Sequence, residues 1–309
     1  MGRALPLAFL LAGCPEANDP GKAGERDDVV EYTAPETDTD ADTDADTDAD
    51  TDADADTDTG GDTGVPFVGD ATCWTDGAWI SESAGTGCQV LEPLSGRVLD
   101  FLEGDAVADA TVSVWYADIP VTGPDGTTTA DATGAFALDV PVCAPVSLKA
   151  ETPPAWEETV PTLTQHRALA PGEPPEVGSV SSAFARLLPG LVGVEWDDAG
   201  AGVVAGVALD CAGEPVADGQ IVLAGSVFYY DSGYPSATAS WTDVDGRWIA
   251  LNVEPGQHVA ELWAWDGAAH VRLAEVPVIV EAGAVTLVEL HVGTDAGYRL
   301  PDACLAACG

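Results

Sequence analysis

Apolar residues beyond about residue 90 of this chain fall mostly at every second position, in short runs broken by glycine, proline and aspartate. Val98 and Val112 stand among polar neighbours in this way. That is the period of a strand with one buried face. The pattern is written twice. Gly96-Arg97-Val98-Leu99-Asp100 leads to Val107-Ala108-Asp109-Ala110-Thr111-Val112, then to Asp131-Ala132-Thr133-Gly134-Ala135-Phe136-Ala137-Leu138. Gly206-Val207-Ala208-Leu209-Asp210 leads to Val216-Ala217-Asp218-Gly219-Gln220-Ile221, then to Asp243-Val244-Asp245-Gly246-Arg247-Trp248-Ile249-Ala250-Leu251. The offset is 110 residues at the first landmark, 109 at the second and 112 at the third. Landmarks that keep their order with so little drift mark a tandem pair of like domains. Asp131 to Gly134 and Asp243 to Gly246 read as turns, where a carboxylate bonds backbone amides and glycine takes a positive φ. Phe136 and Trp248 follow each turn, open the next strand and anchor it in the core. Each copy, at about a hundred residues, has the size of one antiparallel sandwich, so the fold class is all-β.

Those residues carry a resemblance. Gly-x-Val near an aspartate, then Val-Ala-x-Ala-x-Val, then Asp-x-x-Gly-x-Phe, is similar to the carboxypeptidase regulatory-like domain. The resemblance covers roughly 91 to 180 and 201 to 293 and implies two Greek-key, transthyretin-like β-sandwiches of seven strands. It implies little about function, because the module accompanies peptidases, outer-membrane receptors and surface lipoproteins alike. Domain 1 is expected over 93–197 and domain 2 over 198–296. The proline-rich run from Pro153 to Pro175 departs from the family pattern and is expected to disturb the later strands of domain 1. Ser181 to Leu188 is expected to form a short capped connector helix stopped by Pro189-Gly190.

Residues 1–13 open on Arg3 and an apolar run, Ala4 to Leu11, in the manner of a signal peptide. Leu11-Ala12-Gly13-Cys14 resembles the lipobox of bacterial lipoproteins, which implies a diacylglyceryl group on Cys14. Pro15, in the place of an aspartate, resembles the sorting pattern for export onward to the outer membrane. Residues 14–64 form an acidic tether in which every even-numbered residue from Asp38 to Asp58 is aspartate. With nothing apolar to bury, mutual repulsion is expected to keep it extended and disordered. At about 3.3 Å per residue such a tether reaches roughly 160 Å. An EF-hand frame started at Asp54 places Thr59 and Val65 where glycine and a bidentate acid belong, so a specific calcium loop is not expected.

Acidity is not confined to the tether. The net charge is -43, and from Val65 onward 34 acidic residues face seven basic ones. Nucleic acid and anionic lipid headgroups are poor partners for such a field, whereas a cationic ligand suits it. Cys73, Cys88, Cys143, Cys211, Cys304 and Cys308 make an even set in a chain that reads as exported, so disulfides are expected, with fifteen pairings open. A lead-in over 65–92 is expected to pack on domain 1. The cysteine-bearing tail over 297–309 is expected to be stapled to domain 2 near Cys211.

Chemistry-bearing motifs are few. His258 and Glu261 have the spacing of a zinc pair, but residues three apart in a strand point to opposite faces. His166, His270 and His291 form no cluster, and no nucleophile elbow or phosphate loop stands at a strand–helix junction. No catalytic residue, metal or cofactor is expected. Trp263 and Trp265 lie on one face of a strand, about 7 Å apart. Their counterparts in domain 1, Lys149 and Glu151, suggest that this face points outward. Tyr229, Tyr230 and Tyr234 enrich a neighbouring loop in aromatics, and together these five residues make a candidate platform for a glycan or a protein. The chain thus reads as a non-catalytic cell-surface lipoprotein that presents two β-sandwich modules. The alternative is an accessory subunit of a peptidase or outer-membrane complex.

Overall fold

The computed structural model describes residues 67–73, 90–101, 104–116, 120, 123–153, 159–293 and 303–304, all within one compact unit. Domain 1 contains β1 (Val90–Asp100), β2 (Thr111–Trp115), β3 (Gly126–Thr129), β4 (Ala135–Val142), β5 (Pro145–Glu151), β6 (Thr159–Val160), β7 (Thr162–Ala168) and β8 (Glu176–Ser181). Helix α1 (Ser182–Leu191) connects it to domain 2. Domain 2 contains β9 (Gly202–Leu209), β10 (Gln220–Val222), β11 (Ser226–Asp231), β12 (Tyr234–Ser236), β13 (Arg247–Val253), β14 (Gly256–Trp265), β15 (His270–Val280) and β16 (Val285–His291). Among the described residues the fold is all-β apart from its connector and a helical pair at 303–304.

The repeated cassette folds the same way twice. Val98 N–H donates to the Gly134 carbonyl at 2.8 Å, and Ala208 N–H to the Gly246 carbonyl at 2.9 Å. Both glycines take a positive φ, +72° and +66°, and a Cβ there would meet the Val98 or Ala208 carbonyl within 2.7 Å. Two constraints, handedness and space, therefore demand glycine at this turn. The leading glycines serve the aromatics. A Cβ on Gly96 would come within 2.5 Å of the Phe136 ring, and one on Gly206 within 2.7 Å of the Trp248 ring. Phe136 and Trp248 lie flush in their cores because no side chain stands beneath them.

Each domain closes a core between two sheets. In domain 1, Leu94, Val98, Phe136 and Val140 of β1 and β4 meet Val112, Val114, Leu148 and Ala150 of β2 and β5. In domain 2, Trp248, Ala250 and Val288 meet Leu262, Leu273 and Val276. The run Trp248 to Leu251 is buried throughout because β13 has apolar cover on both sides. Trp248 and Ala250 enter the sandwich core, while Ile249 and Leu251 pack outward under α1 with Ala185, Leu188 and Tyr230. Helix α1 is capped by Ser181, whose Oγ accepts from Phe184 N–H at 3.2 Å. It runs past the expected stop to Leu191, taking Pro189 into its last turn, where Leu188 and Pro189 are buried and Val192 N–H closes back on the Pro189 carbonyl.

The two sandwiches share a sheet. A nine-stranded sheet runs β12-β11-β13-β9-β16-β7-β5-β2-β3, with β16 and β7 pairing in parallel between Val285–Leu287 and Thr162–Thr164. The second sheets remain separate, β4-β1-β8-β6 in domain 1 and β10-β14-β15 in domain 2. The prolines after Ala150 thus do not abolish β7 and β8. They fall outside both strands, where no ladder bond is lost. Polar contacts fasten the junction: Ile279 N–H donates to Gln165 Oε1 at 3.0 Å, and Lys149 Nζ lies 2.7 Å from Glu281.

The ends of the chain cross over. The lead-in, Phe67 to Cys73, packs on domain 2, not on domain 1 as the sequence suggested. Phe67 N–H donates to the Trp265 carbonyl at 2.9 Å, and Asp70 N–H donates to Asp210 Oδ2 at 2.7 Å. Cys73 is then bridged to Cys211, with 5.6 Å between Cα atoms. The tail goes the other way: Cys304 is bridged to Cys143 of domain 1, correcting the expected staple onto domain 2. Asp210, the last residue of the repeated Gly-to-Asp motif, is what receives the lead-in backbone, so the docking site is written into the cassette. Cys14, Cys88, Cys308 and the acidic tether lie outside the described residues.

Candidate functional site

Alternation along β14 sends Ala260, Leu262 and Ala264 into the core and Val259, Glu261, Trp263 and Trp265 to the outer face of the three-stranded sheet. Gln220 of β10 and Arg272 of β15 flank Trp263, and His270 stands opposite Trp265. This face is a layer of half-exposed aromatic and charged groups laid on a rigid sheet.

Four of its polar side chains, Glu261, Trp263, Arg272 and Glu275, are committed to one another. Trp263 Nε1–H donates to Glu261 Oε2 at 2.8 Å, and Arg272 Nη1 donates to Glu261 Oε1 at 2.8 Å while also pairing with Glu275. The hydrogen bond from Trp263 lowers the Glu261 pKa below its ordinary 4.5; partial burial opposes this and Arg272 adds to it. Glu261 therefore pins the indole of Trp263, whose single polar atom is spent, and what Trp263 offers a ligand is carbon surface. Trp265 meets His270 edge to face with ring centroids 5.3 Å apart, and His270 meets Trp241 likewise at 5.8 Å. Trp241 joins the site only through the β14–β15 pairing. It sits just ahead of the second Asp-x-x-Gly turn, and its sequence neighbours give no sign of it.

Of the tyrosines expected beside the tryptophans, two are elsewhere. Phe228 to Tyr234 is a hairpin, β11–β12, turned by Ser232 and Gly233 at positive φ, and not an open loop. Tyr229 and Tyr230 are each 5% exposed and point to opposite faces of β11. The Tyr229 hydroxyl is used inside domain 2 by Ile221, whose N–H it accepts at 2.9 Å. Tyr230 lies under α1, where burial pushes its hydroxyl up to about 12. Tyr229 is withdrawn into the sandwich core, and Tyr230 is withdrawn because α1 gives β11 a second buried face. Tyr234 is 54% exposed but stands on the end strand of the nine-stranded sheet, away from β14.

The argument for an outward face also changes. Lys149, the counterpart of Trp263, is only 9% exposed and is held at the domain junction between Glu151 and Glu281. A charged counterpart was thus no guide to exposure, although Trp263 does face outward. His258 lies near the carbonyl of Glu254 at 2.6 Å, apart from the Glu261–Arg272 pair, so the two residues of the zinc-like spacing do not converge.

No family model matches the chain, and no curated protein matches it. Among solved structures it is similar to a shaft pilin of Lactobacillus rhamnosus GG at 11% identity and a TM-score of 0.22, over 69% of this chain and 100% of that chain. It is similar to a minor pilin of Streptococcus agalactiae at 11% identity and a TM-score of 0.21, over 68% of this chain and 99% of that chain. At such low TM-scores the likeness carries no argument about role.

Proposed function

We propose that this chain is a non-catalytic surface lipoprotein, anchored through Cys14, whose acidic tether carries two edge-joined sandwiches and whose domain 2 binds a surface partner through the Trp263–Trp265 face. One observation supports the binding role above the rest: two large aromatic side chains stand half-buried on the outer face of a sheet, Trp263 held by its hydrogen bond to Glu261 and Trp265 by its edge contact with His270. The lipobox-like Cys14 and the disulfide-bonded domains favour an exported, lipid-held protein.

The test has two arms. Palmitate labelling of cells expressing the full chain is lost on Cys14→Ser and kept by the parent. A Trp263→Ala, Trp265→Ala double variant, with its melting temperature within a few degrees of the parent, loses glycan-array binding or pull-down of the cell-surface partner. Unchanged capture by the double variant refutes the role of this face. A partner that co-purifies tightly with both proteins moves the reading to an accessory subunit.

A further inference from the structure

Beside Trp265 the surface of domain 2 dips into a hollow of about 180 Å³. Phe67 and Ala71 of the lead-in form one wall, and Val271 and Leu273 of β15 form the other. Trp265 and the exposed Asp266 complete it. Asp266 is the ionisable group of this lining. Its Oδ1 accepts from the N–H groups of Ala268 and Ala269, both at 2.8 Å, which fixes the carboxylate in place.

We infer that this hollow is a socket for a lysine or arginine side chain presented by a basic partner segment. The inference rests on domain 2 being a binding module and names the chemistry of what it binds. Apolar walls suit the methylene stem of such a side chain, and a fixed carboxylate beside them suits its charged tip. An acidic side chain is repelled by Asp266, and a plain aliphatic one leaves that carboxylate unused. The indole of Trp265 adds a ring against which a guanidinium can stack. Charge favours the same occupant: 34 acidic residues face seven basic ones from Val65 onward, and Lys149, Arg247 and Arg272 are already engaged by carboxylates of the protein itself. A basic segment is steered toward such a surface and an acidic or phosphorylated one away from it.

The lead-in makes the socket. Phe67 is held to Trp265 through a backbone hydrogen bond, and six residues later Cys73 is bridged to Cys211. Domain 2 without its lead-in lacks the wall formed by Phe67 and Ala71, so the bridge that precedes domain 1 completes a site in domain 2.

The oxidised full chain is titrated with a blocked octapeptide of alternating glycine and lysine, and with its norleucine counterpart, at fixed ionic strength. NMR reports at the amides of Ala71 and Val271 and at Trp265 Nε1–H. The lysine peptide moves these signals, and the norleucine peptide binds about tenfold more weakly or worse. Asp266→Asn keeps the turn acceptor and loses the charge, and Ala71→Leu fills the hollow; each weakens the lysine peptide by a similar factor. Melting temperatures confirm that both variants fold. Shifts scattered over the whole surface and unaltered by either variant mean that net charge alone holds the peptide, and the inference falls. Equal binding of the norleucine peptide, or the same signals moved by chitohexaose and not by the lysine peptide, also overturns it. The outcomes separate from those of the proposed function. Partner capture lost on Trp263→Ala, Trp265→Ala with peptide binding indifferent to Asp266→Asn sinks the socket alone; the converse sinks the role of the tryptophan face alone.

Discussion

Lys149 and Trp263 hold the same place in the two copies of the cassette, and the structure treats them in opposite ways. On β5, Ser147 and Lys149 are 0% and 9% exposed, and Lys149 reaches across the junction to Glu281 of domain 2. On β14, Trp263 is half-exposed and bonds only two residues back along its own strand, to Glu261. The charged residue is inside and the aromatic one outside, the reverse of the usual ranking. One backbone has been given two tasks: in domain 1 this position joins the domains, and in domain 2 it displays a surface. Exposure followed from which sheet edge became a junction, not from the residue type.

That contrast can be broken at its foundations first. Trp248→Ala empties the space over Gly206 in domain 2 and is expected to cost about 3–5 kcal/mol by denaturant unfolding. Trp248→Phe is expected to cost far less, since the indole N–H of Trp248 is buried without a hydrogen-bond partner and its loss forfeits no bond. If Phe costs as much as Ala, the ring is not simply filling volume. Next come the crossed bridges. Replacing Cys143 and Cys304 by alanine is expected to cost about 2–5 kcal/mol. Non-reducing peptide mapping of the parent should recover Cys73 joined to Cys211 and Cys143 joined to Cys304.

The junction itself is sharpened by Lys149→Met, expected to cost about 1–2 kcal/mol because the two carboxylates left behind are both substantially exposed. Trp263→Ala should change stability by less than about 1 kcal/mol, as suits a surface position. Should Trp263→Ala prove the more damaging of the two, the division of tasks is wrong.

Titration gives the finest discrimination, because the two sites respond to opposite ends of the pH scale. Burial alone would lower the Lys149 pKa, but hydrogen bonds and charge from Glu281 and Glu151 outweigh it and raise the value above 10.5. Its contribution is therefore fully present below pH 10.5 and lost as pH rises through the higher folded value. Glu261 is lowered below 4.5, so its contribution is present above pH 4.5 and lost as pH falls through the lower folded value. Alkali should loosen the junction while acid frees the Trp263 Nε1–H, each followed by amide exchange and by the indole proton signal.

What was legible in the sequence is what short-range chemistry decides. Gly134 and Gly246 are fixed by a turn, Phe136 and Trp248 by the glycine beneath them, and the start of α1 by a serine cap, so each could be read within a few residues. The parallel pairing of β7 with β16 could not, because either edge strand alternates acceptably whether it meets solvent or another strand. Once that pairing is missed, the burial of Lys149 is missed with it. Tyr229 and Tyr230 failed for a related reason: adjacent aromatics suggest a loop until a helix from elsewhere in the chain covers the second face of their strand. An even number of cysteines restricts nothing among fifteen pairings, so the direction in which each end crosses came only from the fold.

The crossed bridges also decide how tension travels. Pulling on the backbone upstream of Phe67 delivers load at Cys73, and the sulfur link carries it to Cys211, 138 positions further along, without stretching the chain between them. Domain 1 is a bystander to that pull. A weight hung from domain 2 is borne by covalent bonds and by the chain from Cys211 onward, leaving the sandwich that comes first in the chain relaxed.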